Sequence, residues 1–397
     1  MAHYQVVIVG GGSAGLTVAS QLRNKSNAPE VAIIDPSEKH YYQPLWTLVG
    51  AGVFPKEETE RNEVDYIPSG ATWIKEFVEG FDPEHNTIKL KNGDSVTYDV
   101  LVVAAGIQID WGKIPGLKES LGKPGTGVCS NYAYESVEST FENIKTLKKG
   151  TALFTHPSTP IKCGGAPLKI NFLAADYWAK HGVKSQIKIK HIKGGSGIFS
   201  VKKYADALTV VADRYNIERV WQKDLIALHP DKKEAIFRDL DTGEESVEKY
   251  DMIHVTPPMS APDFIKNSPL AASTGWVEVD KSTTQHVRYA NVFSLGDCSN
   301  LPTSKTGAAI RKQAPVTVAN VMAVIEGGQL PKTYDGYTSC PLITGYGKLI
   351  LAEFDYNNQP TESFPFDQGQ ERYSMYALKA YGLPRMYWHG MLKGREF

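Results

Sequence analysis

The sequence predicts an α/β protein built from two doubly wound domains followed by an amphipathic C-terminal region. Three observations lead there. Residues 4–35 read as apolar strand, glycine turn, amphipathic helix and second apolar strand. Residues 150–257 repeat the alternation of strand and helix, the pattern of a parallel sheet covered on both faces. Beyond Pro331 the alternation stops, and the stretch from Glu371 to Phe397 is rich in Tyr, Met, Trp, Lys and Arg. At 397 residues the chain is longer than one core sustains, since single cores stop growing at roughly 250 to 300 residues.

In order, "YQVVIVGGGSAGLTVASQLRNK" gives a buried strand, a glycine turn and a helix, and "EVAIIDPS" gives the next strand. "TIKLKNGDSVTYDVLVVAAG" is a hairpin around Asn92-Gly93 that runs into a buried strand ending at Gly106. From Trp111 to Gly127 the pattern dissolves into Pro and Gly, which marks a crossover between domains. The second block reads as strand "TALFT", helix "PLKINFLAADYWAKHG", strand "SQIKIKHI", helix "KKYADALTVVADRYN", then hairpin-like strands up to "YDMIHVTPP". A further strand, polar loop and long helix follow in "ANVFSLGDCSNLPTSKTGAAIRKQAPVTVANVMAVI".

A formal charge of −1, with both signs interspersed, leaves no basic field for nucleic acid. No apolar run approaches the ~20 residues of a spanning helix, and a strand from Tyr4 leaves no room for a leader, so the expectation is a soluble or peripheral protein. The four cysteines, Cys129, Cys163, Cys298 and Cys340, are too few for a disulfide scaffold and show no metal-ligand spacing, which leaves packing or redox use.

Gly10-Gly11-Gly12-Ser13-Ala14-Gly15 is GxGxxG between a strand and a helix, and Asp35 ends the next strand twenty residues after Gly15. In a Rossmann-like unit Gly10 makes the turn, Gly12 admits a pyrophosphate, Gly15 lets the helix pack closely and Asp35 accepts from ribose hydroxyls. The bland alternative is a tight structural loop. Later, "VFSLGDCSN" ends a strand at Gly296-Asp297, and "TSKTGAAI" opens a helix at Lys305, Thr306, Gly307 and Ala308. This order resembles the FAD-dependent oxidoreductases with two dinucleotide domains, in which the late Gly-Asp and the following helix start hold the flavin half. FAD is therefore the expected cofactor, with Asp297 as a simple turn cap the alternative.

The second block has no such turn. After Thr151–Thr155 comes "HPSTPIKCGGAP", and the next strand ends in Lys193-Gly194 instead of an acid, so a nicotinamide site is not expected. Cys163 stands where that turn would be, just ahead of a helix opened by Pro167 and flanked by Lys162 and Lys169. Such surroundings favour a thiolate, while burial as a small apolar side chain is the alternative. Cys340, held extended by Pro341, is its candidate partner, and Cys129 and Cys298 read as packing.

Taken together, "VVIVGGGSAGLTVA", "HYYQPLWTLVGAG", "IKCGGAPLK", "FSLGDCSNLPTSKTGAA", "SCPLITGYGKLILAEFDY" and "PFDQGQERYSMYALKAYGLPRMYWHGMLKG" resemble the sulfide:quinone oxidoreductases, in the branch that includes the mitochondrial enzymes. The resemblance implies a catalytic pair, Cys163 and Cys340, which hydrosulfide attacks as a disulfide, leaving a persulfide on Cys340 and a thiolate on Cys163 that passes electrons to FAD. It implies FAD contacts at Ser13, Ala14, Gln43 and the backbone of Val78, beside the glycines above and Gly106. It implies ubiquinone or menaquinone as electron acceptor, glutathione, sulfite or a similar small sulfur acceptor, and a bacterial cytoplasmic or mitochondrial inner membrane surface; self-association stays open. Some relatives use a third cysteine in the segment of Cys129, and the mitochondrial branch works with two.

The expected division is 1–112 with 286–330 for the FAD domain, 113–285 for the degenerate second domain, and 331–397 for Cys340, the quinone site and membrane-surface helices. In that tail Pro384 should separate two short helices whose Tyr373, Tyr376, Tyr381, Met386, Tyr387, Trp388 and Met391 lie at a headgroup boundary; an amphipathic helix packed on the core is the other reading. Rival functions are a type II NADH dehydrogenase, a disulfide reductase, a haem-coupled sulfide dehydrogenase and a non-enzymatic FAD-binding redox sensor.

Overall fold

The computed structural model describes residues 2–396. Its first sheet centres on Ala2–Val9, with Val31–Ile34 parallel on one side and Ser95–Val103 parallel on the other. Thr72–Ile74 extends one edge, Val292–Ser294 joins Ser95–Val103, and the antiparallel strands Thr87–Leu90 and Val78–Asp82 complete the sheet. Val6, Val7, Ile8 and Val9 are all buried, because both sheet faces are covered; that is why the strand reads as an unbroken apolar run. The helices Ser13–Arg23 and Gly307–Ile325 pack against one another over this sheet, so both begin at the same end of the domain.

The second sheet is wholly parallel, in the order Val128–Cys129, Met252–His254, Gly150–His156, Ile187–Lys193, Ile217–Val220. The helix Ala166–Lys180 covers it, with Leu168, Phe172 and Trp178 buried. The hairpin-like strands form a separate antiparallel layer, Lys223–His229, Glu234–Asp239 and Glu245–Lys249. After this the chain re-enters the first core sooner than residue 285, the boundary expected from the sequence. Ala261, Ile265, Leu270, Trp276 and Val277 already pack with Val7 and Val9.

The C-terminal region opens with the antiparallel hairpin Thr338–Gly345 and Lys348–Phe354, whose first strand lies against the helix Ala166–Lys180. The tail differs from the expectation. It is helical from Tyr373 to His389, with a wide π-helical turn at Leu378–Gly382 between two α segments. Pro384 falls in the first turn of Leu383–His389, where its missing N–H is tolerated, so it does not divide the helix. Tyr376, Tyr387, Trp388 and Met391 are buried in the protein's own core. The segment lies along the first glycine-turn helix, where Ser20 Oγ donates to Leu392 O at 2.8 Å and Asn24 Nδ2 to Lys393 O at 3.0 Å. Of the aromatic residues expected at a membrane, Tyr373 (70% exposed) and Tyr381 (53%) face outward. Phe397 lies outside the described residues. Among those described, no helix is long and apolar enough to cross a membrane.

Candidate active site

Cys163 occupies the loop between the strand Gly150–His156 and the helix Ala166–Lys180. Its φ is +57°, a left-handed conformation that side chains other than glycine rarely adopt. Two hydrogen bonds hold it there: Cys163 N–H donates to Lys305 O and Ala166 N–H to Cys163 O, both at 2.8 Å. The first ties the second domain to Lys305, two residues before the helix Gly307–Ile325. Strain maintained by its surroundings in this way marks functional positions.

Cys340, fully buried on the strand Thr338–Gly345, brings its thiol within hydrogen-bonding reach of Cys163. The result is asymmetric. The Cys340 S–H donates to the Cys163 sulfur and Lys169 Nζ lies 3.1 Å from it, so the Cys163 thiol is held well below its ordinary value. Cys340 is pushed well above its own, because its proton is the one shared with Cys163 and it lies in an apolar surround. Lys169 is buried, and a second buried cation, Lys379, adds its field. Lys379 donates to Pro44 O at 2.7 Å, and burial together with the like charge of Lys169 lowers it to about 7. From the sequence Lys379 reads as one of the basic residues interleaved with the tail aromatics at a headgroup boundary; the structure buries it instead, as its place inside the apolar run "MYALKAYG" allows. Cys129 and Cys298 lie apart. Cys129 is buried against Ile253 O at 3.5 Å and pushed up to about 12, and Cys298 is buried near Val103 O at 3.4 Å, in keeping with packing roles.

The expected cofactor residues converge on the same region. Lys162 Nζ hydrogen-bonds Gln43 Oε1, and burial lowers Lys162 to about 8. Lys305 Nζ donates to the carbonyls of Asp297 at 2.7 Å and Ser299 at 3.0 Å, fixing the Gly-Asp loop, while burial raises Asp297. Gly296 packs on the first turn: a Cβ there would lie 3.2 Å from Ala14 Cβ. Gln313, not anticipated, accepts from Gly296 N–H at 2.9 Å. Thr306 caps the late helix by accepting from Ala309 N–H at 3.1 Å, leaving the Gly307 and Ala308 N–H groups free of that cap. Asp35 accepts from Gly11 N–H at 2.5 Å and Ser37 N–H at 2.7 Å. Val78 belongs to the core cluster of Val9 and Ile34, the residues that precede the turn and Asp35.

The glycines test whether this site fits a dinucleotide. A Cβ on Gly10 would meet Ala104 O at 2.5 Å and one on Gly15 would meet Gly10 O at 1.8 Å, so both are required by close packing. A Cβ on Gly12, Gly106, Gly164 or Gly307 would meet nothing within 4 Å, so the turn, the end of the strand Ser95–Val103, the cysteine loop and the late helix start each present bare backbone to open space. Such a cradle suits a long ligand with a central pyrophosphate.

A glycine turn, a Gly-Asp loop and a paired cysteine over one helix start define a flavin-dependent disulfide oxidoreductase, and residues 4–320 match the pyridine nucleotide-disulphide oxidoreductase family. The chain is 52% identical over 396 residues to the mitochondrial sulfide:quinone oxidoreductase of Dictyostelium discoideum, covering 99% of this chain and 87% of that one. It is 47% identical over 393 residues to its Mus musculus namesake, with the same coverage. The crystal structure of the Aquifex aeolicus sulfide:quinone oxidoreductase superposes with a TM-score of 0.82 at 17% identity, over 100% of this chain and 92% of the other, which speaks to the fold. The chain belongs to the sulfide:quinone oxidoreductase family.

Proposed function

We propose that the protein oxidises hydrogen sulfide at the Cys163–Cys340 pair and passes the electrons, with FAD as relay, to a membrane quinone. The observation that carries this reading is the low-pKa Cys163, paired with Cys340 and Lys169, standing where a nicotinamide-binding turn would be. Gly10, Gly12, Ser13, Ala14, Gly15 and Asp35 would hold the adenosine and pyrophosphate half. Gln43, Gly106, Gly296, Asp297, Lys305, Thr306, Gly307 and Ala308 would hold the flavin half, with the backbone of Val78 at the adenine end. When bound, FAD takes up two electrons from a thiolate neighbour and yields them to a quinone.

In the oxidised pair, hydrosulfide attacks the Cys340 sulfur. The new S–S bond makes a Cys340 persulfide, and the Cys163–Cys340 bond breaks with its electron pair on Cys163. Lys169 favours this direction, because the sulfur with the lower pKa is the better leaving group. A sulfur acceptor such as glutathione or sulfite then takes the terminal sulfur, returning Cys340 to a thiolate. Re-forming the disulfide releases two electrons. The half-exposed Cys163, Lys162 and Gly164 line the side on which these electrons leave, and the free N–H groups at Gly307 and Ala308 would stabilise negative charge that arrives there.

Exposed Tyr373 and Tyr381, the latter in edge contact with Phe54 at 5.7 Å, support a peripheral membrane contact on that face, at the bacterial cytoplasmic or mitochondrial inner membrane. The test is steady-state reduction of a short-chain ubiquinone by the FAD-loaded protein. Sulfide should drive it and NADH should not; turnover with NADH and none with sulfide would overturn the reading.

A further inference from the structure

The C-terminal segment reaches the dinucleotide turn through a buried chain of side chains that the sulfur chemistry does not use. Ser13, the first residue of the glycine-turn helix, places Oγ 2.7 Å from Tyr387 OH. The same hydroxyl is 2.5 Å from His40 Nε2, and His40 Nδ1 is 2.9 Å from Glu63 Oε2. His40, Glu63 and Tyr387 are all at least nine-tenths buried.

The direction of the chain follows from its ends. With Glu63 ionised and the imidazole neutral, the carboxylate accepts from His40 Nδ1–H, His40 Nε2 accepts from Tyr387, and the Tyr387 oxygen accepts from Ser13. The Ser13 hydroxyl is turned toward the C-terminal segment, and Ser13 offers a phosphate its backbone N–H.

Glu63 supplies the second observation. Its Oε1 is buried with no partner and lies 2.5 Å from where a Cβ on Gly11 would stand, beside Asp35. This explains why Gly11, between the two glycines the turn itself requires, is glycine as well. It also leaves an unsatisfied acceptor beside Asp35, the residue expected to take a ribose, where a hydroxyl donor of the ligand would satisfy it.

We infer that His40 and Tyr387 are positioning residues for the dinucleotide turn, making the C-terminal segment part of the cofactor site, so that cofactor occupancy and docking of residues 383–396 stabilise each other. The inference rests on the FAD reading above. Its reciprocity is required by linkage: if docking orders the turn, binding at the turn must strengthen docking by the same factor. The contacts of Leu392 and Lys393 along the same helix extend the coupling over the rest of the segment.

The test compares apoprotein and FAD-reconstituted protein. In the wild type, FAD should slow amide hydrogen exchange in 383–396. Tyr387→Phe keeps the ring against Tyr42 and Trp388, at 4.6 and 5.0 Å between centroids, and removes only the hydroxyl. It should weaken FAD binding about tenfold, the effect of one hydrogen bond, and lose the FAD-dependent protection. In a Ser13→Ala background the same change should add nothing to the FAD dissociation constant, an outcome general loosening of the fold would not produce. Ser13→Ala alone, which leaves the C-terminal segment untouched, should abolish the protection too. Wild-type FAD affinity and protection in Tyr387→Phe, or additive losses in the double variant, would overturn the inference. Failure of the wild type itself to bind FAD would overturn the reading beneath it.

Discussion

Replacing Lys169 by Met tests the proposal that this lysine holds Cys163 as a thiolate. The lysine is buried and its Nζ is 3.1 Å from the Cys163 sulfur, so the thiolate accepts a charge-assisted hydrogen bond worth about 1.5 to 3 kcal/mol. Methionine matches the chain length and the apolar surround but withdraws the charge. At ~1.4 kcal/mol per decade, the midpoint for Cys163 ionisation should move to a proton concentration about ten to a hundred times lower. Lys379 offsets part of this: without the like charge of Lys169 beside it, Lys379 keeps its proton more firmly and its field on Cys163 strengthens. The effect should therefore fall nearer tenfold. The assay is the rate of iodoacetamide alkylation of Cys163 in the reduced protein against pH, followed by peptide mass spectrometry. The wild-type rate should be level across neutral pH, because the thiolate is already formed, whereas the variant's should still be climbing. Superimposable profiles would refute the argument that Lys169 sets the thiolate.

Further outcomes follow from the same geometry. Cys163→Ser and Cys340→Ser should each abolish sulfide turnover, while Cys129→Ser and Cys298→Ser should retain it with a stability loss on the order of 1 kcal/mol, read by denaturant melts. Lys379 is neutral in the folded state above about pH 7 and charged when unfolded up to 10.5, so the unfolded chain binds the extra proton in that window. Stability should rise with pH there by about 1.4 kcal/mol per unit from this group, and Lys379→Met should remove the slope. Removing residues after Gln370 should prevent stable folding, since Tyr376, Tyr387, Trp388, Met391 and Leu392 each bury side chains worth ~1.5 to 3 kcal/mol. Joint replacement of the exposed Tyr373 and Tyr381 by Ser should lower binding to liposomes at unchanged melting temperature; unchanged binding would remove these residues from the membrane contact.

What could be read in the sequence was what lies close together in it. The glycine turn with Asp35 and the Gly-Asp loop with its helix start are contiguous signatures whose backbone geometry requires those residues, and the two α/β blocks follow from strands buried on both faces. Cys163 was legible because a cysteine stood where a turn was due. The tail was not, because an amphipathic pattern shows that one face is apolar without showing whether bilayer or core covers it. Trp388 and Tyr387 turned out to cover the protein's own first domain. The placement of Lys379, His40 and Glu63 was invisible for a different reason: each meets a partner far along the chain, as when His40 meets Tyr387 across 347 positions, and Lys379 by itself reads only as a basic residue of the tail.

The division of labour between the two cysteines is the centre of the account, and one measurement addresses it directly. The oxidised protein is mixed anaerobically with one equivalent of sulfide and no sulfur acceptor, alkylated at once, digested, and the cysteine peptides weighed. The account predicts one extra sulfur atom on the Cys340 peptide and plain alkylation of Cys163. An extra sulfur on Cys163 with Cys340 plainly alkylated, or reduction of the cofactor with no sulfur added to either cysteine, would contradict it.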